Sequence, residues 1–202
     1  MAATPLAFRV PFVLASASPR RLDLLTRLGV EPVVVPSRIE EIPPEGASPA
    51  EIVESLALDK ARAVAASRPD ALVLGSDTIV VLDGEVLGKP ADAAEARTML
   101  ERLAGRSHFV YTGVALVHAA SERAASRSTR TRVTFGPISR EEIARYVAGG
   151  SPMDKAGAYG IQDDAGALFV ESIEGDYYNV VGLPLRTLYV LLKDSFPDLL
   201  AV

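Results

Sequence analysis

The stretch from Leu72 to Pro90 reads LVLGSDTIVVLDGEVLGKP, and few local structures satisfy it. An apolar run of strand length carries Asp77 at its tip, a second apolar run follows, and Asp83-Gly84 is the dipeptide of a tight hairpin turn. The returning arm ends with Lys89 immediately before Pro90. The segment therefore predicts a strand and hairpin that hold one carboxylate and one ammonium. In α/β folds ligands bind outside the carboxyl ends of strands, so this is a plausible metal and phosphate station. Taken alone it has a plainer reading too, as a turn-forming aspartate and a solvated lysine.

Composition narrows the chemistry available to that station. The chain has 202 residues, enough for one large domain, and no cysteine, which removes disulfides, thiolate metal sites and cysteine nucleophiles. Its two histidines, His108 and His118, are too few for a histidine-rich metal centre. Any metal must use oxygen ligands, which favours magnesium or manganese. A net charge of −5 argues against a broad nucleic-acid surface, while local basic pairs can still bind small phosphorylated ligands. No apolar run approaches the ~18 residues of a membrane span. The opening MAATPLAFRVPFVL lacks the charged front and long apolar core of a signal peptide, so the expected location is the cytoplasm.

Elements can be placed along the chain from their caps and periodicities. Val10–Ala15 predicts a buried strand, and Ser18-Pro19 opens a helix carrying Leu22, Leu25 and Leu28 that stops at Gly29. Val30–Val35 predicts another strand. Ser48-Pro49-Ala50-Glu51 has the form of a capping box and starts a long helix with an apolar stripe of Ile52, Leu56 and Val64. Asp92 caps a helix with Ala96, Met99, Leu100 and Leu103 inside and Gly105 as terminator. Strands are expected over Ser107–His118 and Ala124–Phe135, the second with a wet face or an edge because of Arg127, Arg130 and Arg132. Ser139 with Glu142 caps a further helix that stops at Gly149-Gly150. A glycine-rich segment then leads to an expected hairpin of Leu168–Ile173 and Tyr177–Val181, and Pro184 opens a final helix. Early alternation of strands and helices followed by hairpins predicts an α/β fold with a mixed sheet. With no repeats or linkers, one domain spanning 1–202 is expected, with room for two lobes about a cleft.

Three further constellations carry chemistry. In LASASPRR, a strand passes through a tight turn into a helix whose first turn holds Arg20 and Arg21. Free N–H groups there favour an anion, and cations at that end oppose the helix dipole unless an anion arrives. The alternative is a pair of solvated surface arginines. The acidic loop contains Glu40, Glu41 and Glu45, and a carboxylate from it meeting Asp77 would make an oxygen site for Mg²⁺; otherwise it is a solvated loop. Lys60 sits near the apolar stripe of the long helix, either snorkelling or aimed at the cleft. In DKAGAYGIQ, spaced glycines allow close backbone approach, and the Gln162 amide donates and accepts at once, as reading a nucleobase edge requires; the alternative is a simple connector.

Together LASASPRR, GSDTIVVLDGEVLGKP, MDKAGAYGIQ and EGDYYNVVGLPL closely resemble the Maf family of nucleoside-triphosphate pyrophosphatases, in the family's order and over nearly the whole chain. The segment MDKAGAYGIQ resembles its dTTP/UTP branch in particular. The resemblance implies an elongated α/β fold with a mixed central sheet, flanking helices and a deep cleft, similar to inosine-triphosphate pyrophosphatases. It implies hydrolysis of a nucleoside triphosphate, here dTTP and UTP, to monophosphate and pyrophosphate, with a divalent cation (Mg²⁺, Mn²⁺ or Co²⁺). By motif position Asp77 would be the catalytic carboxylate, treated in the family as proton acceptor. Ser16, Arg20, Arg21, Lys60 and Lys89 would contact phosphates, Glu41 would join Asp77 at the metal, and Thr78, Gln162 and Arg20 would govern substrate choice. A homodimer is implied as well. The competing reading is a nucleotide-binding regulator of septum formation with little turnover.

Two departures from the family pattern stand out. Asp163-Asp164 follows Gln162 where the branch usually has glycine, which either reshapes the base pocket or lies outside it. Ser76 stands where alanine is common, a change expected to be benign.

Overall fold

The computed structural model describes residues 6–201. Among these, β1 (Phe12–Leu14), β2 (Val33–Val34), β3 (Leu72–Leu82), β4 (Glu85–Leu87), β5 (Ser107–His118), β6 (Arg123–Phe135) and β7 (Val170–Glu174) form one mixed sheet. Its order is β2-β1-β3-β5-β6-β7, with β4 paired to β3. The helices are α1 (Pro19–Arg27), α2 (Pro49–Ala65), α3 (Ala93–Leu103), α4 (Arg140–Ala148), α5 (Asp164–Ala167), α6 (Tyr177–Val181) and α7 (Leu185–Ser195). The mixed α/β class expected from the sequence is the class observed. Among the described residues no helix is long and apolar enough to cross a membrane.

The described residues divide into two compact units. The first contains the chain up to Asp77, Thr112–Thr129, and the chain from Gly182; the second contains Thr78–Tyr111 and Arg130–Val181. The first unit is built around β1, which pairs in parallel with β2 and β3, Val13 facing both Val33 and Val73. Helix α2 covers this layer. Its capping box forms as the sequence predicts, Ser48 accepting from the Glu51 backbone and Glu51 reaching back to the Ser48 N–H. The stripe that α2 buries differs from the expected one: Val53, Leu56, Ala57, Lys60, Ala61 and Val64 are buried, and Ile52 is only half-buried.

Small residues decide that rotation of the helix. A Cβ at Gly75 on β3 would lie 2.0 Å from the Ala57 carbonyl oxygen, and one at Gly113 on β5 would lie 2.2 Å from that of Val53. Two glycines on neighbouring strands thus accept two backbone carbonyls one helical turn apart, and α2 seats directly on the sheet. Val13, Ala15, Ala57, Ala61, Val64, Val73, Ala115 and Val117 fill the layer around them.

In the second unit β3 continues into the hairpin with β4, turning through Asp83 (φ 52°) and Gly84 (φ 84°). That is the primed turn the Asp-Gly pair predicts. Helices α3 and α4 are capped by Asp92 and Ser139 as expected. Their unit is packed through edge-on aromatic contacts of His108, Phe135 and Tyr159 with one another and of Tyr146 with Phe169, and a tilted contact joins Phe135 to Phe169.

Three expectations need correction. The strands at Val10–Ala15 and Val30–Val35 shorten to Phe12–Leu14 and Val33–Val34, and Val33 and Val34 are exposed. Tyr177–Val181 is the helix α6, not the return arm of a hairpin. Asp176 Oδ1 accepts from the Tyr178 N–H (2.8 Å), a local bond that starts a helix, and β7 pairs antiparallel with β6 instead. The wet face of β6 is as expected, with Arg127, Arg130 and Arg132 all exposed.

Candidate active site

Within the first unit, β3 delivers Asp77 as a carboxylate only 6% exposed. Alternation along the strand puts Asp77 on the same face as Gly75, the face that α2 covers. Because Gly75 lets Ala57 touch the strand, the residue almost one turn later on the helix, Lys60, is brought onto Asp77. Its Nζ donates to Asp77 Oδ1 at 2.6 Å and lies 2.9 Å from Oε1 of Glu41 in the acidic loop. The ammonium is buried with Asp77, whereas Glu41 is about half exposed. Lys60 is therefore aimed at the carboxylates, and the snorkelling alternative is set aside.

The turn from β1 into α1 supplies the opposite charge. Ser16 Oγ accepts from the Ser18 N–H (3.2 Å) and from Nη1 of Arg21 (2.9 Å). Arg21 Nε donates to the Gly182 carbonyl at 2.9 Å, and Ser76 Oγ donates to the same carbonyl at 3.2 Å. Burial pulls the Arg21 guanidinium below its ordinary pKa; the Asp77 charge opposes this, Arg20 adds to it, and Glu41 opposes it. No acid stands in the first turn of α1. Two arginines crowded at a positive helix end are stabilised by an incoming anion. Ser76, expected to be a benign replacement, shares with Arg21 the carbonyl that anchors it.

The residues fit a hard divalent cation. Asp77 and Glu41 converge on one cationic atom, the Lys60 nitrogen, at distances of 2.6 and 2.9 Å. Among the described residues no three His, Asp or Glu side chains group into a metal cage. Two carboxylates completed by water and phosphate oxygens is the pattern of magnesium rather than of an all-protein site.

The remaining sequence candidates belong to the second unit. Thr78 follows Asp77 on β3 and is half-buried, while Lys89 and Gln162 are exposed. The segments bearing the last two are tied together, since the Gly157 N–H donates to the carbonyl of Gly88 at 3.0 Å. Gly157 has φ 69°, and a Cβ there would lie 2.9 Å from a Val80 methyl, so the loop rests on β3 itself.

Sequence reasoning missed three contributors: Gly182, whose carbonyl fixes Arg21, and Gly75 with Gly113, which seat α2. The signal for Gly182 was its place just before Leu183-Pro184 at the head of the last helix. Gly75 and Gly113 each interrupt an apolar strand, the usual mark of close backbone approach.

Comparison with known proteins bears on the family and the fold. The profile of the Maf-like protein family matches residues 11–195. A dTTP/UTP pyrophosphatase of Salinibacter ruber is 57% identical over 190 residues, covering 94% of this chain and 93% of that protein. A protein of the same name from Symbiobacterium thermophilum is 59% identical over 186 residues, covering 92% and 94%. Among solved structures, a HAM1 protein from Coxiella burnetii superposes with a TM-score of 0.51 at 17% identity, covering 92% of this chain and 100% of that one, a likeness of fold alone.

Proposed function

Since this chain belongs to the Maf-like protein family, we propose that it is a nucleoside-triphosphate pyrophosphatase acting on dTTP and UTP. The observation that carries this reading is the buried Asp77–Lys60 pair, extended by Glu41, in the unit that also holds the Ser16–Arg21 turn. A carboxylate that can take a proton and a cationic turn for phosphates are the two parts that hydrolysis of a phosphoanhydride needs.

In this reading water attacks the α-phosphorus, the bond from that phosphorus to the bridging oxygen breaks, and pyrophosphate leaves. Asp77 Oδ1 is held by Lys60, so Oδ2 orients the water and takes its proton. A divalent cation (Mg²⁺, Mn²⁺ or Co²⁺) held by Asp77 and Glu41 would supply positive charge at the phosphate oxygens. Arg20, Arg21, Lys60 and Lys89 neutralise the charge that grows on the leaving pyrophosphate, and Ser16 belongs to the turn that binds the phosphates. Thr78, Gln162 and Arg20 govern the choice of base. Thymine and uracil both offer an N3–H between two carbonyls, which one amide side chain can pair with, and a methyl group changes affinity by only about 1–3 kcal/mol. A cytoplasmic homodimer completes the proposal.

Product analysis tests it. Purified protein with excess dTTP and Mg²⁺ should release pyrophosphate and dTMP over many turnovers. Release of orthophosphate and dTDP would place the cut elsewhere. Tight nucleotide retention without release would instead favour a regulator.

A further inference from the structure

Gln162 sits third in a four-residue turn whose ends are both pinned. The Asp163 N–H donates to the Gly160 carbonyl at 3.1 Å, closing the turn, and Ile161 beside it is buried. At one end the Gly160 N–H donates to the Tyr146 hydroxyl (3.1 Å). At the other end the same hydroxyl donates to Asp163 Oδ2 (3.4 Å), so one side chain from α4 spans the turn. Asp163 Oδ2 also accepts from Ser151 Oγ and lies 3.2 Å from Lys155 Nζ.

Lys155 completes the clamp. Its residue is 9% exposed, and its ammonium reaches the Ser151 carbonyl (2.6 Å), Asp154 Oδ1 (2.8 Å) and Asp163. Its three protons meet three acceptors, the Ser151 carbonyl, Ser151 Oγ (3.3 Å) and Asp154 Oδ1, and Asp163 adds an ion pair, so the cation is buried but satisfied. The surroundings are tight enough to hold it there. A Cβ at Gly160 would lie 2.5 Å from Asp163 Oδ2 and 2.7 Å from Lys155 Cε, and one at Gly166 would lie 2.3 Å from the Gly160 carbonyl. Meanwhile the Gln162 side chain, between the two pinned ends, is exposed.

We infer that Asp163, held by Lys155, Ser151 and Tyr146, is a positioning residue that fixes Gln162 and thereby sets selectivity for pyrimidine over purine triphosphates. The inference rests on the reading of Gln162 as the base contact. It also resolves the unusual Asp163: its carboxylate turns back into the loop and braces it. An amide anchored at both flanks admits a base of one depth, whereas a loosened turn retreats and accepts a larger ring, the kind of small displacement that costs binding geometry.

The test compares the full-length protein with Asp163→Asn, the milder Ser151→Ala, Gln162→Ala, and Gln162→Ala combined with Asp163→Asn. Steady-state pyrophosphate release is measured for dTTP and dGTP with Mg²⁺, alongside melting temperature. Asp163→Asn should lower the dTTP-over-dGTP ratio of kcat/KM about tenfold, through KM for dTTP, with kcat changed by no more than about threefold. Ser151→Ala should shift it in the same direction by less, and Asp163→Asn should add nothing further once Gln162 is alanine. A ratio altered by Gln162→Ala but by neither Asp163→Asn nor Ser151→Ala overturns the positioning role and leaves the base contact standing. A ratio unmoved by Gln162→Ala overturns the base contact itself.

Discussion

The Nζ of Lys60 lies 2.6 Å from Oδ1 of Asp77, and both side chains are almost wholly buried. An ion pair so placed is a poor source of net stability, because desolvation offsets most of its attraction. Its value is orientation: one oxygen of Asp77 is committed to the lysine and the other is left for chemistry. Asp77→Asn should therefore reduce pyrophosphate release from dTTP about 10³-fold, the range of a lost general base. Lys60 keeps Glu41 and an amide oxygen as acceptors in that variant, so the melting curve should stay cooperative. Near-normal turnover by the folded variant would remove Asp77 from the mechanism.

Gly75→Ala should be more damaging to the fold than its size suggests. The new methyl would meet the Ala57 carbonyl oxygen at 2.0 Å, and backbone cannot rotate away as a side chain can. Helix α2 must lift from the sheet, at a cost of about 3 kcal/mol, the upper part of the range for overpacking. The same lift withdraws Lys60 from Asp77, so activity should fall along with stability. Urea unfolding and dTTP turnover on one preparation check both. Unchanged stability would mean that the helix seats elsewhere.

Arg21→Lys keeps the charge and removes the planar fork. A lysine cannot bond the Gly182 carbonyl and Ser16 Oγ at once with the spacing that Nε and Nη1 provide. We expect kcat/KM for dTTP to drop about 10- to 100-fold with little change in melting temperature. A variant with full activity would show that charge alone suffices at this turn.

The contrast between what the sequence discloses and what it hides follows from the range of the interactions. Capping boxes at Ser48 and Ser139 and the Asp83-Gly84 turn are local hydrogen-bonding devices, legible within four residues and found where expected. Asp77 was conspicuous because an acid ends an apolar run. Lys60 was ambiguous because its partners lie 17 and 19 positions away in sequence and are chosen by the rotation of α2. That rotation depends on Gly75 and Gly113, which mark a close approach on their strands without saying which part of which helix makes it. Tyr177–Val181 misled for a different reason. Four of its five residues, Tyr177, Tyr178, Val180 and Val181, are aromatic or β-branched and give it the composition of a strand, and only the Asp176 bond to the Tyr178 N–H marks the helix. The clamp on Asp163 was hidden most completely, since Tyr146 and Ser151 carry no signal until the loop folds back.

His108 makes stability depend on pH. Its Nε2 lies 2.8 Å from the Tyr159 hydroxyl, its Nδ1 has no partner among the described residues, and the ring is 1% exposed. Burial lowers its pKa from 6.5 to about 4, so the ring is neutral in the folded protein throughout the intervening range. Only the unfolded chain binds a proton between those values. Stability should accordingly be fully present above pH 6.5 and decline as pH falls toward 4, by about 3 kcal/mol from this group. His108→Gln keeps an acceptor for Tyr159 and does not titrate. Its melting temperature starts lower, because the edge-on contact with Phe135 is lost, but should fall less steeply over the same pH interval. Parallel pH profiles for the two proteins would show that His108 is not the group responsible.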